Sequence, residues 1–138
     1  MRKKIVLISC VSKKLTDRAK AKELYTSTLF KFNLKYAELL APDEIFILSA
    51  KHGLLTLNQE IEPYDETLNT MKSAEIKMWS DQVLEQIKGV CAIDDSEFVF
   101  LAGEKYRKHL LPHINNYKIP LKGFRIGEQL KQLKKLTS

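Results

Sequence analysis

Three apolar runs in this chain each break off into residues that can do chemistry. Lys4 to Ser9 ends in Cys10-Val11-Ser12-Lys13, Glu44 to Ser49 in Ala50-Lys51-His52-Gly53, and Glu97 to Ala102 in Gly103-Glu104-Lys105-Tyr106. Ser9, Ser12 and Lys13 put hydroxyls and backbone N–H groups beside an ammonium, a combination suited to an anion. The glycines and the Gly-Lys-Ser/Thr order of a P-loop are missing, and the two serines could equally close local turns. Cys10 can be a reactive thiol, although a Cys in such a place is more often a small buried hydrophobe. His52 beside Lys51 can titrate near neutral pH and act as acid, base or phosphate contact, or simply bond to backbone. Pro63 gives Tyr64 and Asp65 a defined direction. A carboxylate delivered this way can orient water or stabilise an oxocarbenium-like centre, or it can cap the turn before Thr67. Glu104 is expected in the first turn of a helix, where the helix dipole favours a carboxylate with or without a function. Tyr25 and Tyr106 can stack on a base or pack in the core.

Elements of regular structure must carry these residues. Lys4 to Ser9 has the continuous aliphatic composition of a central strand, and Glu44 to Ser49 and Glu97 to Ala102 are expected as two more. Ala19 to Tyr25 has helical composition. Ser27 is an expected N-cap for a helix over Thr28 to Leu40 with Leu29, Phe32, Tyr36, Leu39 and Leu40 inward, stopped at Ala41-Pro42. Ala50 to Asn69 shows no clear period and is expected to be a long functional loop. Ser73 should cap a helix to about Lys88 with Ile76, Trp79, Val83, Leu84 and Ile87 inward. A short helix over Glu104 to Leu111 closed by Pro112, a brief strand at Tyr117 to Ile119 and a terminal helix over Gly127 to Leu136 complete the chain. Strands separated by helices imply crossovers, hence one three-layer α/β domain over residues 1–138, with a mainly parallel or mixed sheet of about four strands. In such a sheet the three strand ends converge on one edge, where ligands of open α/β folds bind. Ser9, Cys10, Ser12, Lys13, Ser49, Lys51, Gly53, Gly103 and Tyr106 are then candidate phosphate or base contacts. Asp65, His52, Glu104 and Tyr64 are the candidate catalytic groups.

The chain has 138 residues, 44% hydrophobic and 29% charged, which suits one globular domain. Its apolar runs fall far short of the ~20 residues of a membrane span, and Met1-Arg2-Lys3-Lys4 is followed by too short an apolar stretch for a signal peptide. A cytoplasmic protein is expected. Two cysteines make no disulfide framework, and no Cys/His spacing matches a zinc site, so neither metal nor cofactor is implied. Charge is unevenly spread: residues 1–22 carry net +7, residues 23–102 net −8 and residues 103–138 net +7. Basic ends suit a phosphate-bearing partner better than a membrane, although solvated lysines on helix surfaces would give the same count.

Taken together, Ile8-Ser9-Cys10-Val11-Ser12-Lys13-Lys14, Ala21-Lys22-Glu23-Leu24-Tyr25-Thr26-Ser27 with Phe30, Leu48-Ser49-Ala50-Lys51-His52-Gly53-Leu54-Leu55, Pro63-Tyr64-Asp65 and Ala102-Gly103-Glu104-Lys105-Tyr106 resemble an uncharacterised family of bacterial and phage proteins. That family is distantly similar to the YaaA peroxide-stress proteins, at about half their length. The opening Ser-Cys-x-Ser-Lys-Lys is also similar to a segment of archaeosine-pathway enzymes. The resemblance implies DNA binding and oxidative protection on one side and action on modified RNA bases on the other. The expectation is a nucleotide- or nucleic-acid-directed protein, an N-glycosidic-bond hydrolase or base-exchange enzyme. The alternatives are a non-catalytic DNA- or RNA-binding module of the damage or stress response and a small-nucleotide sensor.

Overall fold

Four aliphatic residues between two polar ones, Lys4–Ser9, form β1 in the middle of the sheet in a computed structural model that describes residues 3–9 and 14–138. It pairs in parallel with β3 (Glu44–Ser49) on one side and with β6 (Glu97–Leu101) on the other. Outside β3 lies β4 (Gly53–Thr56), antiparallel to it, and outside β6 the short parallel β7 (Tyr117–Lys118), giving the order β4-β3-β1-β6-β7. A separate ribbon pairs β2 (Ala19–Lys20) with β5 (Glu60–Ile61).

The strands are buried on both sides and alternate between two cores. Ile5, Leu7, Phe46, Leu48, Phe98 and Phe100 pack with α3 (Ser73–Lys88) and α4 (Glu104–Arg107). Val6, Ile8, Ile47, Val99 and Leu101 pack with α1 (Ala21–Leu24), α2 (Thr28–Leu39) and α5 (Ile126–Thr137). The result is a three-layer α/β domain. The chain leaves β1 for β3 through α2, then returns past β1 to β6 through α3. Crossovers of one hand running in opposite directions put these helices on opposite faces and leave a crevice between the carboxyl ends of β1 and β6.

Several local expectations change. The 50–69 segment holds β4, β5 and a 3-10 turn over Leu68–Thr70; Ala50, Lys51 and His52 form the turn of a β3–β4 hairpin, so the sheet has five strands rather than about four. The helix expected over Ala19 to Tyr25 shrinks to α1, because Ala19 and Lys20 pair with β5 instead. Lys72, not Ser73, is the N-cap of α3; the Glu75 carboxylate accepts from the Lys72 backbone N–H at 3.1 Å. The inward face of α3 is otherwise as expected. The helix at Glu104 ends at Arg107, and Pro112 lies inside a 3-10 turn over Leu111–His113 instead of closing it. Ser27 does cap α2, its hydroxyl accepting from Phe30 N at 3.1 Å. The face of α2 is rotated, however: Phe30, Asn33 and Ala37 are the buried residues and Leu39 is 60% exposed. Leu29, Phe32 and Tyr36 are only partly buried, on the flank towards α5, where the Lys134 ammonium lies over the Phe32 ring.

Candidate functional site

The residues at the end of β3 are held together from below. Ser49 is fully buried; its hydroxyl donates to the Tyr64 hydroxyl at 2.8 Å and accepts from the His52 N–H at 3.1 Å. The Tyr64 hydroxyl lies 2.6 Å from that of Tyr25. The Lys14 ammonium stands 4.6 Å from the centre of the Tyr64 ring, and the His52 ring meets that ring edge-on. The Trp79 indole N–H donates to the Ser49 carbonyl at 2.9 Å, which ties β3 to α3.

A side-chain amide completes the hairpin. Gln86 accepts from Leu54 N at 2.9 Å and donates to the His52 carbonyl at 3.2 Å. Gly53, with φ +74°, lies directly against it, and a Cβ there would collide with the amide. The left-handed turn and the Gln86 amide are together reason enough for glycine here. His52 has its pKa lowered from the usual 6.5, first by burial and then by the Lys51 charge, with Glu66 pulling the other way. Its imidazole accordingly holds a proton less readily than a free one. Lys51 and Asp65 are exposed nearby. The turn after Asp65 is capped by Thr67, whose hydroxyl accepts from Asn69 N, and not by Asp65.

The ends of β1 and β6 are different, because a cavity opens between them. It has a volume of about 580 Å³, within the range of small-molecule sites. Gly103 N donates to the Ser9 hydroxyl at 3.2 Å, joining the two strand ends at its floor. Among the residues singled out from the sequence, Ser9, Gly103, Glu104 and Tyr106 line it, together with Lys105. Tyr106 is buried and meets Trp79 edge-on. Ser49, Lys51, His52, Gly53, Tyr64 and Asp65 do not line it. Cys10, Ser12 and Lys13 lie outside the described residues. The sequence-stated groups thus divide between the hairpin cluster and the cavity.

Four lining residues escape a reading of the sequence alone. Arg107 closes α4, with one guanidinium N–H on the Ala102 carbonyl at 2.7 Å. Arg125 caps α5, its backbone N–H bonded to the Glu128 carboxylate at 3.1 Å, and Gln129 follows one turn later. Asn33 comes from the buried face of α2; it is 4% exposed, and its Oδ1 has no hydrogen-bond partner among the described residues. The one available signal was an Asn amid the apolar residues of α2. Glu104, Lys105 and Arg125 take part in no ion pair among the described residues, where the salt bridges lie elsewhere. The cavity therefore combines three cationic side chains, one carboxylate, amides and aromatic rings. That set can bind an anion joined to a flat polar ring.

Among the described residues no group of three or more His, Cys, Asp or Glu is placed to hold a metal ion, and no helix is long and apolar enough to cross a membrane. A family model, described as a family of unknown function (DUF6884), matches residues 5–135. No curated protein and no solved structure matches the chain.

Proposed function

The chain belongs to the DUF6884 family of unknown function, and we propose that it binds a nucleotide, free or within a nucleic acid, in the cavity between the ends of β1 and β6, and cleaves or exchanges its N-glycosidic bond. The observation that carries this reading is the set of charges lining the cavity: Lys105, Arg107 and Arg125 with a single carboxylate, Glu104, none of them in an ion pair among the described residues. Guanidinium and ammonium groups hold a sugar phosphate. A carboxylate facing the anomeric carbon stabilises positive charge as the C–N bond breaks and takes a proton from the attacking water; the base leaves with the C–N electron pair and takes up that proton, while the water oxygen bonds to the anomeric carbon. Glu104 is better placed for this than Asp65, which lies off the cavity. The distant likeness of the sequence motifs to YaaA proteins, and of the opening Ser-Cys-x-Ser-Lys-Lys alone to a segment of archaeosine-pathway enzymes, is the reason for proposing a nucleic-acid or modified-base target.

The test is release of free base from nucleoside monophosphates and from oligonucleotides, followed by mass. Glu104→Gln should abolish release while binding persists, and Asp65→Asn should leave it unchanged. Release that survives Glu104→Gln overturns the catalytic assignment. A binding-only module for nucleic acid is the second reading, favoured by the exposed Lys122, Lys131, Lys134 and Lys135 in the same basic segment as the cavity's cations. It predicts no base release and an affinity for oligonucleotides that falls steeply with salt.

A further inference from the structure

We propose that the Asn33 side-chain amide is the specificity determinant of this cavity, and that it reads a hydrogen-bond donor–acceptor edge on the ligand, of the kind a nucleobase presents. The inference rests on the nucleotide reading and adds to it the group that distinguishes a base from a bare sugar phosphate.

Asn33 lies on the buried face of α2 between Phe30 and Ala37, a position at which an apolar side chain would pack without penalty. A buried amide without a partner costs stability, and almost all such groups in folded proteins are bonded. Here Oδ1 is closed to solvent and has no partner among the described residues, while the side chain that bears it lines the cavity, so a turn of that side chain brings Oδ1 to a ligand. A half-turn of the amide exchanges its donor and acceptor, so it can face either order of a donor–acceptor pair. Asn makes this paired contact to the edge of adenine in nucleic-acid complexes. The cavity's lining also offers groups for the other parts of a nucleotide: the Arg125 and Lys105 charges suit the phosphate and the Tyr106 ring suits the face of the base.

The experiment measures binding of adenosine, guanosine, cytidine and uridine monophosphates and of ribose 5-phosphate to the wild-type chain and to Asn33→Leu, with the ligand-free melting temperature of each. Asn33→Ala carries the same comparison should the leucine variant not fold. We expect the wild type to bind at least one nucleotide about 10–100-fold more tightly than ribose 5-phosphate, the range that one or two well-made hydrogen bonds supply. The variant should lose that preference, keep its affinity for ribose 5-phosphate, and melt at the same temperature as the wild type or higher. An unchanged preference in the variant, or ligand-free melting that falls by many degrees in both variants, overturns the inference by making the amide irrelevant or structural. A folded wild type that binds neither nucleotides nor ribose 5-phosphate overturns the nucleotide reading, and this inference with it.

Discussion

Around Ser49 the polar atoms at the sheet's carboxyl edge are used on one another; around Gly103 several are left unused. The Ser49 hydroxyl has two partners, the Tyr64 and Tyr25 hydroxyls face each other, and the Gln86 amide bonds on both sides of Gly53. At the cavity, by contrast, the Asn33 side-chain oxygen is unpartnered and Glu104, Lys105 and Arg125 make no ion pair among the described residues. Residue types of similar chemistry thus bond to one another in one place and are left without such partners, among the described residues, in the other, where the ligand is proposed to bind. Hydrogen-bond satisfaction, rather than residue type, separates the two.

The largest effect expected from breaking this contrast is at the hairpin cluster. Tyr64→Ala removes a ring that is 7% exposed and takes one partner from each of the Ser49 and Tyr25 hydroxyls, and should cost about 3–5 kcal/mol in denaturant unfolding. Tyr64→Phe should cost about 1–2 kcal/mol. Gly53→Ala forces a side chain into the left-handed region and against Gln86, and should cost about 1–3 kcal/mol. Arg125→Gln and Glu104→Gln, at exposed positions on the cavity, should change stability by no more than about 0.5 kcal/mol while weakening nucleotide binding or turnover at least tenfold. Equal losses of stability in both groups would erase the distinction.

The smallest effect is a pH dependence. The folded chain holds His52 below its usual pKa of 6.5, so the unfolded chain binds the proton more readily. The stabilisation is complete above about pH 6.5 and is lost as pH falls through the lower folded value. Unfolding measured from pH 7.5 to 5 should therefore show a slope in the wild type that flattens in His52→Gln.

Much of the fold was legible because its strongest signals are local. The three parallel strands and the inward face of α3 follow from aliphatic runs and a clean helical period. The β3–β4 hairpin was hidden because Gly53–Thr56 is short and shows its pairing only against β3. The face of α2 was misassigned because the helix is apolar towards both the sheet and α5. With Asn33 at the centre of the buried stripe, the flanking Leu29, Phe32 and Tyr36 looked like the core. That same residue is the one now assigned to ligand recognition. That the strand ends share one edge was legible, but the division of that edge between the hairpin and the cavity was not, since it depends on which side chains bond to each other across 15 to 39 residues of chain.

The most direct test is an amide NMR titration of the ¹⁵N-labelled chain with nucleoside monophosphates. The resonances of Gly103, Lys105 and Arg125 and the side-chain amide of Asn33 should move together and saturate, while those of Lys51, His52 and Leu54 stay in place. Shifts centred on Lys51 and His52, or none at all at millimolar nucleotide, would contradict the assignment of the ligand to the cavity between β1 and β6.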